Sequence, residues 1–166
     1  MTMRRGVRLG IDVGTVRVGV ARSDPDGILA TPVETLARAQ DEDDKRAIVA
    51  LAEELGAIEI VVGLPRSMDG KQRTSARAAT DYATRLAGLV SRSGQPATLR
   101  LVDERLTSTA AHRSMHASGR PGRRQREVVD QVAAVLILQT ALDTERTTGR
   151  PAGRVVTVRA PKETQA

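Results

Sequence analysis

Four acidic residues stand where the local pattern of the chain sets carboxylates up for chemistry. Asp12 lies in Val7-Arg8-Leu9-Gly10-Ile11-Asp12-Val13, where every second residue is apolar. That alternation predicts a strand with Arg8, Gly10 and Asp12 on the face away from the valines and leucine. Asp103 and Glu104 follow Leu99-Arg100-Leu101-Val102, at the C-terminal end of a further strand, where sites in α/β sheets form. Successive strand residues alternate in direction, so at most one of this pair looks the same way as Asp12. Asp130 leads into Val132-Ala133-Ala134-Val135-Leu136-Ile137-Leu138. A helix so apolar all round is expected to be buried, which puts the acid at the rim of the core. Carboxylates from two strand regions and one helix start suit a hard cation. Mg²⁺ prefers oxygen ligands and keeps waters that a phosphate can displace.

Each acid also has a purely structural explanation. A two-residue turn at Gly14-Thr15 sets Asp12 across from Arg17 and Gly10 across from Gly19, giving a cross-strand ion pair worth ~0.2–1 kcal/mol. The glycines favour chemistry, because bare backbone around a carboxylate leaves room for a metal or a phosphate. Asp103 and Glu104 also read as an acidic loop entry beside Arg105. Asp130, placed in the first helical turn, gains ~0.3–1 kcal/mol from the helix dipole. His112 and His116 stand at i, i+4, but no third strong ligand is near, so a zinc site is disfavoured.

The composition narrows the classes. The 166 residues suit one domain, and 40% apolar with 28% charged residues is the balance of a globular protein. The absence of cysteine removes disulfides, thiolate metal sites and cysteine nucleophiles. No apolar run approaches the ~18 residues of a membrane span. No secretory signal is seen, so a cytoplasmic location with no membrane partner is expected. The formal net charge is +6, and only three of the 26 basic residues are lysine. The excess is local: Arg105, Arg113, Arg120, Arg123, Arg124 and Arg126 fall in a window without an acid. Such a run invites a polyanion, or else it is a solvated loop. Tyr82 is the sole aromatic residue, which disfavours domains that stack bases on aromatic platforms. A nucleic-acid partner would be held by its phosphates.

Around these residues the pattern predicts three strands in hairpins, the third (28–36) pushed to an edge by Pro32. An acidic helix start at Asp41-Glu42-Asp43-Asp44 follows, with a C-cap at Gly56. Then come a buried strand (58–62), a loop (66–74) and a helix carrying Ala79, Ala83, Leu86 and Val90 on one side. A strand (98–102), a helix N-capped by Thr107 or Ser108, a mobile 118–124 stretch and a helix from about 127 to 142 complete the order. This is an α/β fold: a mixed five-stranded sheet with helices packed on it, in one domain of residues 1–146. Residues 147–166 are expected to form a disordered tail, with 155–158 as a stray strand at most.

Four blocks then carry a resemblance. Gly10-Ile11-Asp12-Val13-Gly14-Thr15-Val16-Arg17-Val18-Gly19-Val20-Ala21 with Ser23-Asp24 resembles the opening of the YqgF/RuvX family. Val62-Gly63-Leu64-Pro65 with Met68-Asp69-Gly70, then Val102-Asp103-Glu104-Arg105-Leu106-Thr107, then Asp130 to Gln139, are similar to its later blocks in the same order. The resemblance implies a ribonuclease-H-like fold akin to Holliday-junction resolvases. It implies a metal-dependent nuclease that matures the 5′ end of pre-16S ribosomal RNA, or one that resolves four-way DNA junctions. Matched by position, Asp12, Glu104 and Asp130 are its catalytic and metal-binding acids, with Asp103 a further possible ligand. Two Mg²⁺ or Mn²⁺ ions about 3.5–4 Å apart are the implied cofactors. Arg17 and Arg105 would face the scissile phosphate, and the arginines from 113 to 126 would clamp the strands beyond it. A junction substrate calls for a homodimer; RNA trimming needs only a monomer. Two rivals stand beside this reading. One is an ATPase of the actin/hexokinase type, suggested by the turn after Asp12 but requiring a second domain. The other is a ribosome-assembly factor that binds nucleic acid without cutting it.

Overall fold

The three N-terminal runs form an antiparallel meander: β1 (Arg8–Val13), β2 (Arg17–Ser23) and β3 (Ala30–Ala37). The structure is a computed structural model, and it describes residues 3–65, 70–103 and 123–158. After the meander come α1 (Asp43–Leu55), β4 (Glu59–Leu64), α2 (Gly70–Arg92), β5 (Thr98–Asp103), α3 (Arg123–Thr148) and β6 (Arg154–Val155). The sheet runs in the order β3-β2-β1-β4-β5-β6, with β4 and β5 parallel to β1 and to each other. Parallel strands need helical crossovers and so are covered on both faces. β4, Glu-Ile-Val-Val-Gly-Leu, is accordingly buried along almost its whole length.

Alternate residues of the central strands feed two cores. Val7, Leu9, Ile11, Val18, Val20, Ile60, Val62, Leu99 and Leu101 pack with Ile48 of α1 and with Tyr82, Ala83, Leu86 and Val90 of α2. Ala21, Val61 and Val102 face the other way, onto Ala134, Ile137, Leu138, Ala141 and Leu142 of α3. Arg8 is 1% exposed on that second face. It pairs with Glu145 at 2.8 Å, while Arg4 holds both Glu145 and Glu59 and Arg100 lies beside Glu59. This chain of charges, buried at Arg8, Glu59 and Glu145, fixes the far end of α3 to the sheet.

The structure departs from the sequence-based expectations in several places. The sheet has six strands, not five, because residues 149–155 turn back onto it. Gly149 and Gly153 take positive φ and turn the chain back. Ala152 is buried, and Arg154–Val155 pair antiparallel with Leu101 and Arg100. Helix α2 begins at Gly70, inside the segment expected to be a loop. Helix α3 begins at Arg123, so Arg123, Arg124 and Arg126 are helical rather than loop residues. The first hairpin turns about Thr15-Val16: Val13 pairs with Val18, and Gly14 N–H donates to the Arg17 carbonyl. Asp12 therefore sits opposite Gly19, not Arg17, and Gly10 opposite Ala21. Gly14 does not take positive φ, so it was not the turn centre its glycine suggested. Pro32 does lie on the edge strand, next to a bulge opposite Val20/Ala21. Among the described residues no helix is long and apolar enough to cross a membrane.

The lone aromatic residue has a structural use. Tyr82 Oη donates to Asp44 Oδ2 at 2.8 Å, with the Lys45 ammonium 4.4 Å from the ring centroid. Burial, and then the Asp44 carboxylate, hold the phenol well above its ordinary pKa, so it stays a donor. Tyr82→Phe leaves a buried carboxylate oxygen without its partner, at a cost of about 1–3 kcal/mol. Urea unfolding should show a lower midpoint with an unchanged slope.

Candidate active site

The Asp12-bearing face of β1 is the α3 face. Arg8, four residues earlier, reaches Glu145 of α3 there. Between them, a Cβ on Gly10 would meet Leu138 Cβ at 2.6 Å and the Ala134 carbonyl oxygen at 2.8 Å. Across the sheet, Gly19 pairs with Asp12. A Cβ on Gly19 would lie 2.0 Å from the Asp130 carbonyl oxygen and 3.2 Å from Asp130 Cβ. Opposed residues of an antiparallel pair have their Cβ positions about 4.5–5.5 Å apart. Asp130 is thus seated directly over the Asp12–Gly19 pair, and two of the predicted acids are brought together. The glycines do not leave room for a ligand, as their sequence context suggested. They leave room for α3, which rests on them through Asp130, Ala134 and Leu138, one turn apart.

Asp130 is the eighth residue of α3, two turns in, so the dipole explanation for it falls away. Its turn of helix is tied to the edge strand. Thr35 Oγ1 donates to the Glu127 carbonyl at 2.8 Å, and Gln131 Nε2 donates to Thr35 Oγ1 at 3.1 Å. Arg17, on the same sheet face as Gly19, donates from Nε to Asp130 Oδ2 at 2.8 Å. The turn after Asp12 is held from the opposite side. Arg38 N–H donates to the Val16 carbonyl, and its guanidinium donates to the Gly14 carbonyl at 3.2 Å while lying over the Tyr82 ring. Thr35 and Arg38 were not singled out from the sequence. Nothing local marks a threonine on an edge strand or an arginine after it, and both act through partners far along the chain.

Asp103 pairs with Leu64 at the end of β5. Leu99 and Leu101 belong to the α1–α2 core and Val102 to the α3 core. By alternation Asp103 falls on the α1–α2 side of the sheet, opposite to Asp12. Glu104, Arg105, His112, Arg113, His116 and Arg120 lie outside the described residues, as do residues 66–69 of the glycine–proline block. Arg126 is exposed on α3, five residues from Arg17's partner Asp130 counted inclusively along the helix.

Among the described residues no three histidine, aspartate or glutamate side chains cluster closely enough to hold a metal. Of the acids predicted for the site, Asp12 and Asp130 converge; they offer only carboxylate oxygens, and Asp130 already engages the Arg17 guanidinium. That donor chemistry fits Mg²⁺ or Mn²⁺ and not a soft metal.

Known proteins agree with this architecture. The model of the RuvX family, described as a Holliday junction resolvase, matches residues 6–144. A protein of Leifsonia xyli subsp. xyli named "Putative pre-16S rRNA nuclease" is 51% identical over 154 residues, covering 93% of this chain and 96% of its own. A relative of the same name from Mycolicibacterium paratuberculosis is 53% identical over 149 residues, covering 90% and 87%. Among solved structures, T. thermophilus RuvC in complex with a Holliday junction substrate superposes with a TM-score of 0.55 at 10% identity. It covers 90% of this chain and 99% of that one, a likeness of fold. The family blocks fall on β1–β2, β4, the end of β5 and the first half of α3, the elements that carry or adjoin Asp12 and Asp130, and the chain belongs to the RuvX family.

Proposed function

We propose that this chain is a metal-dependent nuclease that hydrolyses phosphodiester bonds in ribosomal RNA precursors, at the 5′ end of pre-16S rRNA. The observation that carries the reading is the seating of Asp130 over the Asp12–Gly19 pair, two carboxylates on one sheet face in a RuvX-family chain. Nuclease names on relatives about half identical over nearly the whole chain support it.

Asp12, Asp130 and Glu104 are the residues that would hold Mg²⁺ or Mn²⁺. When bound, such ions lower the pKa of an attacking water and stabilise the leaving oxygen. The protein's own groups do the rest. Gly19 lets α3 approach until the two acids share one site. Thr35 and Gln131 fix the Asp130 turn, and Arg38 fixes the turn beyond Asp12. Arg126, Arg123 and Arg124, with Arg105, Arg113 and Arg120, supply cations for the nucleic-acid backbone on either side of the cut. Asp103, turned to the other face, is not proposed as a ligand.

A second reading, a resolvase of four-way DNA junctions, is favoured by the family description and by the fold shared with RuvC. One assay tests both: purified protein with Mg²⁺, given a pre-16S RNA 5′ segment and a four-way junction in parallel. Cleavage of the RNA by a monomer supports the first reading. Symmetric junction cuts by a dimer support the second. Binding to either without metal-dependent cleavage would leave only a non-catalytic assembly factor.

The arginines give a prediction of their own. Each arginine–phosphate contact releases counterions, worth about 0.9 unit of log–log salt slope on duplex and ~0.7 on single strands. Replacing Arg120, Arg123, Arg124 and Arg126 by glutamine should flatten the salt dependence of binding by roughly 2–4 units. Titrations at several salt concentrations measure this, and an unchanged slope would remove these arginines from the interface.

A further inference from the structure

Arg17 reads from sequence as a phosphate ligand, yet in the fold it is spent on Asp130. Its Nε donates to Asp130 Oδ2 at 2.8 Å. A guanidinium therefore already stands on a carboxylate that the nuclease reading assigns to a divalent cation. The pair is not locked. The Arg17 side chain is 29% exposed and that of Asp130 19%. Arg17 also opens β2 immediately after the Thr15-Val16 turn, where Val16 is 63% exposed. The guanidinium can leave Asp130 for solvent without disturbing either core.

Two carboxylates drawn together over one glycine repel each other when both are charged. Arg17 offsets that repulsion while no metal is bound. A divalent ion taking Asp130 Oδ2 would displace the guanidinium from that oxygen, and one held by the other oxygen would loosen it by charge repulsion. Arginine cannot lose its proton, so once released it seeks another anion, and a phosphate beside the site is the fitting one.

We propose that Arg17 is a resident counter-cation of Asp130, displaced when a divalent metal binds and handed over to a phosphate of the nucleic acid. The idea rests on the metal-site reading above and adds to it a coupling: metal binding and nucleic-acid binding strengthen one another through this arginine. Reciprocity requires the factor to be the same in both directions.

The test uses Mn²⁺ titration calorimetry on the protein alone and fluorescence anisotropy with a labelled RNA oligonucleotide. RNA affinity is read in chelator and in Ca²⁺, which should fill a carboxylate site without supporting turnover. Arg17→Gln is expected to bind Mn²⁺ about fivefold more tightly than wild type, the equivalent of ~1 kcal/mol, the upper range for a partly exposed ion pair. Its gain in RNA affinity on adding Ca²⁺ should shrink by a similar factor. Arg17→Lys should fall between the two, and it carries the test if Arg17→Gln fails to fold. Asp130→Asn should bind RNA more tightly than wild type in chelator, since its arginine is already released. Unchanged or weaker Mn²⁺ binding in both Arg17 variants would overturn the proposal, the weaker result meaning that Arg17 only positions Asp130. Mn²⁺ binding unaffected by Asp130→Asn would instead overturn the metal site itself, and the proposal with it.

Discussion

Asp12→Asn should lower Mg²⁺-dependent cleavage by at least about 100-fold while leaving the melting temperature within a few degrees of wild type. The change keeps the shape of the side chain and removes its charge. Partners that only orient a metal ligand are worth 10–100-fold, so a direct ligand should exceed that. Asp12 is half-buried at the end of β1, outside both apolar cores, so the isosteric asparagine should leave their packing unchanged. Asp130→Asn should cost cleavage equally, with a small further loss of stability from the Arg17 pair, of order 1 kcal/mol or less. Glu104→Gln should behave like Asp12→Asn, and Asp103→Asn should be mild. Activity assays with parallel thermal melts decide the matter. If Asp130→Asn moves only the melting temperature, the carboxylate is structural. If Asp103→Asn is the damaging change, the strand end twists enough to bring it to the α3 face. Cleavage that survives a chelator would end the metal reading altogether.

The alternating runs made the strands legible, and helical spacing made α1 and α2 legible, because each element buries a face whose period is written in its own residues. Val7 to Val13 needs no partner to declare itself a strand. The hairpin register was not legible. Gly14 looked like the turn residue, but what distinguishes a turn at Gly14-Thr15 from one at Thr15-Val16 is which strand residues pair, and that is decided across the sheet. The sixth strand was obscured for a similar reason: Arg154–Val155 is two residues long and exists only because β5 offers it an edge. At the site, Asp12 and Asp130 could be singled out as candidates because a carboxylate in an apolar frame is conspicuous. Their partners were not. Arg17 lies 113 residues from Asp130 and Thr35 lies 92 from Glu127, separations at which no local pattern carries information. Gly19 shows the limit most plainly: its absence of a side chain was visible, and the helix that uses the absence was not.

That helix makes Gly19→Ala a substitution with a large expected structural effect. An added Cβ would stand 2.0 Å from the Asp130 carbonyl oxygen, where no carbon and oxygen can both remain. The oxygen belongs to the backbone of α3, so no flexible side chain can yield. Either the helix lifts or β2 bends. Overpacking in a core costs about 1–3 kcal/mol when side chains can adjust, and a backbone clash should reach or pass the upper end. Against a total stability of roughly 5–15 kcal/mol, much of the protein's margin is lost. The site suffers as well, since Asp130 moves with its own carbonyl, and a misplacement of about 1 Å can cost 10²-fold in rate. Gly88→Ala is the matched control. It lies inside α2, and its added Cβ would meet only the end of Arg92, at 3.7 Å. Alanine there should stabilise by about 0.4–1 kcal/mol through the unfolded chain and helix propensity. Denaturant unfolding of the two variants should therefore diverge in opposite directions from wild type, while Mn²⁺ affinity should fall in Gly19→Ala and stay at the wild-type value in Gly88→Ala. A Gly19→Ala protein with wild-type stability and wild-type Mn²⁺ affinity would show that α3 does not sit on this strand as closely as the structure has it, and the meeting of Asp12 with Asp130 would fall with that contact.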